Sequence, residues 1–252
     1  MLTDGLVEFW TLNDTRVGAI GSTLLAPADA IERYIAGKIG KGWEPALLQD
    51  RVLRGSSPLT NPGNTSWSAS FWVSVDPSEE DALRRVFMLR DGATTRISAS
   101  VQTSPYSDEP FYSECSLSFG GGQAVAAFWV AAGLLGWNHI ALSVSPGSPT
   151  NVSVWLNGQK WSGTTTRVCV LATTPVLWVG GWSTYGASSP PVQAIDAFGW
   201  WNRPVSDADI DELYNAGAGW EPVIGGVITN ILWGSTPDRS RILNSRIVRG
   251  MV

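Results

Sequence analysis

Near its C-terminal end the chain reads Ile195-Asp196-Ala197-Phe198-Gly199-Trp200-Trp201-Asn202-Arg203-Pro204-Val205-Ser206 and continues directly as Asp207-Ala208-Asp209-Ile210-Asp211-Glu212-Leu213-Tyr214-Asn215-Ala216-Gly217. The first part predicts a strand that stops at Pro204, and the second part predicts one short helix. Ser206 and Asp209 have the spacing of a capping box, with Asp where Glu or Gln is usual. Gly217 is the residue expected just beyond the end of the helix. A strand, a proline stop and a capped helix in this order are rare in generic β proteins.

Four other stretches precede this ending in a fixed order. They are an opening strand at 5–14, an aromatic strand at 67–73, a Trp-x-His strand with its hairpin at 136–158, and a short strand at 177–181. Together with the closing strand and helix, this set resembles the laminin-G-like, concanavalin A-like lectin and glucanase superfamily. The resemblance implies an all-β jelly roll over residues 1–222, a sandwich of two antiparallel sheets with one short C-terminal helix.

Length and composition agree with that architecture. Of the 252 residues, 44% are hydrophobic and only 15% are charged, enough for one sandwich with a sizeable core. The 14 Trp exceed ordinary usage, and 27 Gly with 15 Pro suit many short strands joined by turns. The sequence contains about eleven strand-like runs. Asn157-Gly158 predicts a type I′ hairpin, and we expect a helical turn or charged loop at 77–85.

The N-terminus and the cysteines both bear on the compartment in which the protein is made. Met1-Leu2-Thr3-Asp4 contains no basic region and no long apolar stretch follows it, so we expect no secretory signal, no membrane span and synthesis in a cytoplasm. Cys115 and Cys169, the only cysteines, each lie in a strand-like run of apolar or small residues. Two buried free thiols are the preferred interpretation, and a bridge between the sheets is the alternative.

The segment 223–252 lies beyond the helix that closes the resembling domains. Four Arg against one Asp give it a net charge of +3, so the other residues carry −8 of the total −5. Large apolar residues are interleaved with these charges, which argues against a disordered tail. We expect an extended docking arm that joins the chain to other subunits, most simply in a homo-oligomer; the alternative is that the arm packs back on its own domain. The residues expected to make the assembly contacts are Ile231, Leu232, Trp233, Arg239, Arg241, Arg246 and Arg249.

The sequence lacks recognisable catalytic motifs. Glucanases of the superfamily use carboxylates spaced two apart on a strand, in a Glu-x-Asp-x-x-Glu pattern, and no predicted strand has that spacing. His139, the only histidine, is expected to be a structural hydrogen-bonding group. No nucleophile motif or phosphate-binding fingerprint is present. We therefore expect no enzyme activity, and the acidic balance argues against nucleic acid as the main ligand.

Binding residues can be assigned from the resemblance and from residue type. Asp14 and Asp196 occupy the positions where members of the superfamily hold calcium with carboxylates and backbone carbonyls, so the resemblance implies a calcium site. The alternative is that Asp196 accepts local hydrogen bonds and Asp14 starts a turn. Trp182, Tyr185 and Asn202 fall in or near loop-like stretches and are the candidate glycan-binding residues. An exposed Trp in a loop could equally contact another subunit, because protein interfaces are also rich in Trp.

Three classes of function are compatible with these features. The favoured class is a non-enzymatic structural or attachment protein of a larger assembly, such as a phage virion component in a capsid decoration, tail or fibre. This class accounts for the missing secretory signal, the missing catalytic pair and the arm. The alternative is a carbohydrate-binding module that recognises glycans on cell surfaces or in the environment. A glycoside hydrolase is the least supported class.

Overall fold

The computed structural model describes residues 2–15, 17–21, 24–27, 33–45, 53–56, 65–75, 82–91, 94–104, 112–119, 123–130, 136–166, 175–180 and 192–222. Within these residues the chain forms two antiparallel sheets, one short α-helix and one 3₁₀ turn. The predicted all-β sandwich with one short helix is therefore confirmed. The predicted docking arm, residues 223–252, lies outside the described residues. None of the helical structure within them is long and apolar enough to cross a membrane.

One sheet has eight strands and contains the predicted closing strand near its centre. The strands are β1 (Leu6–Trp10), β3 (Tyr34–Ala36), β4 (Lys41–Trp43), β6 (Trp67–Val75), β11 (Gly136–Ser145), β12 (Thr150–Leu156), β13 (Gln159–Thr165) and β15 (Ala194–Trp201). Their spatial order is β13-β12-β11-β6-β15-β4-β3, and β1 pairs with β15 outside this path. β15, the closing strand, therefore contacts β1, β4 and β6.

The other sheet has seven strands. They are β2 (Ala26–Pro27), β5 (Leu53–Ser56), β7 (Ala82–Asp91), β8 (Thr94–Ser104), β9 (Tyr112–Phe119), β10 (Gln123–Val130) and β14 (Val176–Val179). Their order is β10-β9-β8-β7-β14-β5-β2. Residues 82–85 belong to β7 and pair with 100–103 of β8, so the expected helical turn or charged loop is wrong there. Pairing with a neighbouring strand overrides the local charge pattern, as is common in sheets.

The core lies between the two sheets and is largely aromatic. Alternate residues of each strand point inward, which places Phe71 and Phe198 of the eight-stranded sheet against Phe87 of the seven-stranded sheet. Trp67 and Trp200 stack with ring centroids 5.0 Å apart. All five side chains are fully buried. The aromatic motif at 67–73 and the closing strand are therefore core-forming in the way their patterns predict.

The helix α1 (Asp207–Tyr214) covers part of the outer face of the eight-stranded sheet. Ile210 and Leu213 are buried against this face in a second apolar cluster. The capping box is confirmed, because Ser206 Oγ accepts from the Asp209 N–H at 3.2 Å and Asp209 accepts from the Ser206 N–H at 2.8 Å. The helix ends earlier than expected, since Asn215 is the left-handed cap with φ of 47°.

Replacing Ser206 by alanine is expected to lower the free energy of unfolding by about 1 kcal/mol, because the N–H of Asp209 loses its acceptor at the exposed helix end. Urea unfolding of the full chain measures this change. Glu212→Ala, on the exposed side of the same helix, is the matched control and should stay within about 0.5 kcal/mol of the wild type. Equal effects of the two substitutions would contradict the capping role.

Candidate functional site

Few of the residues that the sequence predicts for ligand binding lie in the described part of the chain. Asn202 is exposed, and its backbone N–H donates to the carbonyl of Gly5 at 2.8 Å. Trp182, Tyr185 and the assembly residues between 231 and 249 lie outside the described residues, so these assignments stay predictions. Cys169 lies outside them as well, and only the backbone of Cys115, in β9, is described.

Asp14 and Asp196, the predicted calcium ligands, lie in different environments. Asp14 is exposed, and its Oδ2 accepts from Nζ of Lys41 at 2.7 Å. Asp196 is fully buried. The acidic side chain whose charge acts on Asp196 is Glu221, which is also buried. The structure therefore places Glu221, and not the predicted Asp14, as the second carboxyl group whose charge reaches Asp196.

Asp196 lies on the outer face of the eight-stranded sheet because Ile195 before it faces the core, and a β-bulge follows Asp196. The register of β15 against β6 shifts just after Asp196, and Ala197 has φ of 48°. Bulges of this kind change the direction of a side chain. The loop 37–40 then covers the carboxyl group, because Oδ2 accepts from the Ile39 N–H at 2.7 Å. A Cβ on Gly37 would lie 2.6 Å from the same oxygen, so only glycine fits there.

Glu221 brings a second carboxyl group to this buried position. It is 1% exposed, and its Oε1 accepts from Nδ2 of Asn13 at 2.8 Å. Burial raises the pKa of Glu221 to about 7, although the hydrogen bond from Asn13 acts in the opposite direction. Burial also raises the pKa of Asp196 well above its usual range, and the charge of Glu221 adds to the increase. Both groups are thus costly to ionise without a positive partner.

Asp196 and Glu221 offer carboxylate oxygens, which are the kind of ligand that calcium prefers. Oδ1 of Asp196 is buried and has no hydrogen-bond partner among the described residues. Calcium prefers carboxylate, amide and backbone carbonyl oxygens. The described residues contain no group of three His, Cys, Asp or Glu side chains that could hold a metal ion. A calcium ion bound by Asp196 and Glu221 would therefore need Asn13 or backbone carbonyls as further ligands, and calcium stays a prediction.

His139 is a buried hydrogen-bonding residue, as expected from the sequence. Its Nε2 and the Oγ of Ser70 share a hydrogen bond of 2.8 Å, and its ring packs 5.2 Å from that of Trp72. Burial lowers the pKa of His139 to about 3, so the imidazole is neutral at pH 7. A side chain that is 1% exposed cannot reach a substrate, so His139 is not positioned to act as a base.

The outer face of the seven-stranded sheet carries a second candidate site. Trp178 lies between Leu177 and Val179, which face the core, so its indole points away from the core. The guanidinium carbon of Arg54 lies 3.9 Å from the centroid of the Trp178 ring, and that of Arg90 lies 4.6 Å from it. Arg54, Trp178 and Arg90 are hereafter the Arg–Trp–Arg cluster.

Strand pairing brings the Arg–Trp–Arg cluster together. β14 lies between β5 and β7, and Trp178 is the register partner of Arg54 on β5. Arg90 on β7 is the partner of Val176, two residues before Trp178 and on the same face. Side chains at such positions are within reach of each other, particularly long and aromatic ones. The sheet itself therefore fixes the arginines on the two sides of the indole.

The cluster concentrates positive charge in a protein whose net charge is −5. Burial, and then the charge of Arg54, lower the pKa of Arg90. Contact between each guanidinium and the indole is worth about 0.5–2 kcal/mol, which offsets part of the repulsion between the two cations. Nε of Arg54 is buried and has no hydrogen-bond partner within the described part of the chain. Arg90 is only 8% exposed, so Arg54 and the indole are the members of the cluster that solvent reaches.

Trp178 differs from the other half-buried tryptophans that the structure describes. Trp137, Trp161 and Trp220 pack against the apolar clusters, whereas Trp178 belongs to none of them. Sequence reasoning assigned the run at 177–179 to a strand and did not single out Trp178 as a binding residue. The signal was present in the alternation, since inward Leu177 and Val179 place the residue between them outside.

Comparison with known proteins supports the fold and leaves the family open. No protein-family model matches the sequence, and no curated protein matches it. One similar solved structure is domain 4 of AbnA, an extracellular GH43 arabinanase from Geobacillus stearothermophilus, in complex with arabinotriose. It has a TM-score of 0.54 and 16% identity, over 85% of this chain and 98% of that one.

Two larger proteins contain a similar fold. The binding domain of botulinum neurotoxin DC, in complex with SialylT, has a TM-score of 0.57 and 11% identity, over 86% of this chain. The sialidase of Trypanosoma rangeli, in complex with 2,3-difluorosialic acid, has a TM-score of 0.58 and 12% identity, over 87% of this chain. The chain spans 52% of the neurotoxin domain and 34% of the sialidase. At these identities the likeness establishes the fold alone.

Proposed function

We propose that the chain is a non-catalytic carbohydrate-binding domain that contacts its glycan through the outer face of the seven-stranded sheet. The observation that carries the proposal is Trp178, a half-buried indole that lies outside the apolar clusters and beside Arg54 and Arg90. Flat aromatic side chains pack against the C–H faces of sugar rings, and nearby polar groups bind the hydroxyls. Membership in the laminin-G-like branch of the sandwich folds belongs to the same proposal.

The similar structures support a binding role without assigning it. The AbnA domain was solved with arabinotriose and the neurotoxin domain with SialylT, so this fold presents glycan sites in unrelated settings. The absence of catalysis is also a proposal. It is supported by His139, which is neutral and buried, and by Asp196 and Glu221, whose carboxyl groups are enclosed. Release of reducing sugar from β-glucans or arabinans would contradict it.

A glycan array probed with the full chain tests the proposal. We expect binding that Trp178→Ala weakens by about ten-fold or more, the effect typical of an aromatic contact at the centre of a binding site. Trp182→Ala is the comparison variant, because Trp182 is the alternative site predicted from sequence. Loss of binding in the Trp182 variant alone would move the site away from the seven-stranded sheet. Unchanged binding in both variants would exclude both sites.

The assembly function predicted from 223–252 has no further support, since those residues lie outside the described part. Light scattering on the full chain tests it. A homo-oligomer is expected if the arm joins subunits, and a monomer at high concentration would contradict that prediction. Assembly and glycan binding are compatible, so the two experiments are independent.

A further inference from the structure

We propose that strand β13 is a dimer interface, at which it pairs antiparallel with β13 of a second copy and joins the two eight-stranded sheets into one continuous sheet. The inference goes beyond the proposed glycan-binding function and does not depend on it. It is also separate from the assembly role predicted for 223–252, because it uses only residues that the structure describes.

β13 is a long and exposed edge strand. It ends the path of the eight-stranded sheet, and among the described strands only β12 pairs with it. Five of its seven residues are exposed and the other two are half-buried. The edge strand at the other end of the path, β3, has only three residues. A long exposed edge is a ready site for pairing with another chain.

β13 lacks the features that commonly protect an edge strand from pairing. Its register with β12 runs over seven consecutive pairs without a bulge, and its sequence contains no proline. Lys160 is its only charged residue. Nζ of Lys160 lies 3.0 Å from Oδ1 of Asp207 and 4.9 Å from the centroid of the Trp155 ring, so this charge is already held by its own chain. Charge on the edge therefore does little to oppose pairing.

Hairpin geometry identifies the backbone groups of β13 that face away from β12. The two-residue turn at 157–158 is closed by a hydrogen-bonded pair, and non-hydrogen-bonded and hydrogen-bonded pairs alternate from there. The N–H and C=O groups of Lys160, Ser162 and Thr164 therefore point outward. Oγ of Ser153 and Oγ of Ser162 share a hydrogen bond of 2.9 Å, which agrees, because side chains lie closer together in non-hydrogen-bonded pairs.

The residues of β13 fit a second copy of the same strand. An antiparallel pair centred on Ser162 has two-fold symmetry, as a closed dimer of identical chains requires. Lys160 then lies opposite Thr164 of the partner subunit, so like charges do not meet. A Cβ on Gly163 would have no atom of the described chain within 4 Å, and in this register Trp161 of the partner subunit lies opposite that open position. An aromatic side chain across from an edge glycine stabilises strand pairing.

Sedimentation equilibrium of the full chain measures the dimer. A pair of seven-residue strands buries less than the roughly 1,600 Å² of a standard interface, so we expect a weak dimer that is half formed at about 10–100 µM protein. A chain that stays monomeric up to about 500 µM would overturn the inference.

Ser162→Pro tests whether β13 forms the interface. Proline removes the outward N–H at the centre of the pair and is tolerated where the N–H of an edge strand faces solvent, so the variant should fold and dimerise about ten-fold or more weakly. Ser162→Lys should also weaken the dimer, because two lysines then meet at the symmetry axis. It supplies a second variant if proline disturbs the sheet, and urea unfolding checks that each variant is folded.

Asn151→Lys is the matched control. Asn151 is exposed on β12, and it adds the same charge to the same face one strand in from the edge. The two introduced lysines would lie about 14 Å or more apart in the dimer, beyond the screening length of physiological salt, so dimerisation should not change. An oligomer that survives both Ser162→Pro and Ser162→Lys would overturn the inference and place the contact elsewhere. Equal weakening by Asn151→Lys would also contradict it.

The dimer has a consequence for the proposed glycan-binding function, and this step alone rests on that function. Paired residues of an antiparallel sheet point to the same side, so the seven-stranded sheets of both copies lie on one side of the continuous sheet. Two Trp178 faces then meet a glycan-coated surface together. Such a surface should retain Ser162→Pro less well than the wild type, while soluble glycan binds both equally. Equal retention would overturn this bivalent presentation. No glycan binding by either protein would overturn the proposed function and leave the dimer standing.

Discussion

Replacing Phe198 by alanine is expected to lower the free energy of unfolding by about 3–5 kcal/mol. The Phe198 ring is fully buried, with its centroid 5.6 Å from that of Trp10, 5.7 Å from that of Phe71 and 5.7 Å from that of Phe87. These neighbours come from both sheets. They are themselves rigid rings, so they cannot close the cavity that the substitution creates, and the cavity adds to the lost burial.

Urea unfolding at neutral pH measures this effect. The substitution should lower the urea concentration at the transition midpoint and leave the m-value unchanged. Val17→Ala is the control, because Val17 is 50% exposed and its truncation should cost less than about 0.5 kcal/mol. Phe198→Leu should cost less than the alanine substitution, since it retains most of the apolar volume. Similar losses for Phe198→Ala and Val17→Ala would contradict the core position of Phe198.

Glu221 is expected to make the protein less stable as the pH rises from about 4.5 to 7. Its pKa is raised from the ordinary 4.5 to about 7 in the folded protein, so the folded state binds this proton more tightly than the unfolded state. The stabilisation is complete below the unfolded pKa and is lost as the pH rises through the folded one. At about 1.4 kcal/mol per pKa unit, the loss is about 3 kcal/mol.

Glu221→Gln should remove this part of the pH dependence, because the amide does not titrate and can still accept from Asn13. The variant should be more stable than the wild type at pH 8 and similar to it at pH 4.5. Asp211→Asn, on the exposed side of the helix, is the control. Identical pH profiles for wild type and Glu221→Gln would contradict a buried, neutral carboxyl group.

The same measurements with added calcium test the metal prediction. Calcium requires ionised carboxylates, so it should raise the free energy of unfolding at pH 8 much more than at pH 5. This pH pattern would support a calcium ion bound by Asp196 and Glu221. No effect of calcium at either pH would leave protonation as the means by which the pair is neutralised.

The features that sequence predicted are those fixed by local chemistry. The capping box of Ser206 and Asp209 forms as expected, and Asn157 and Gly158 both have positive φ, as the type I′ hairpin requires. The closing strand is central because nearly all its residues are apolar, which is the mark of a strand covered on both faces. These patterns need only neighbouring residues to be interpreted.

The features that sequence missed depend on long-range pairing. The short strands β2 to β5 have little pattern of their own and are defined by pairing: β4 pairs with β15 and β3 with β4, while β5 pairs with β14 and β2 with β5. Glu221 escaped notice as the acidic neighbour of Asp196 because a chain segment after the helix returns to the outer face of the eight-stranded sheet. Arg54 and Trp178 are 124 positions apart in the chain, and only the register of β5 against β14 makes them partners.

The last described residues after helix α1 lie on the opposite side of the sandwich from the proposed glycan-binding face. Trp220 packs edge-on against Phe9 with ring centroids 5.6 Å apart, so the last described residues lie against the eight-stranded sheet. Trp178 lies on the far side of the sandwich. A glycan held at the proposed binding face would therefore contact the side of the sandwich opposite residues 219–222.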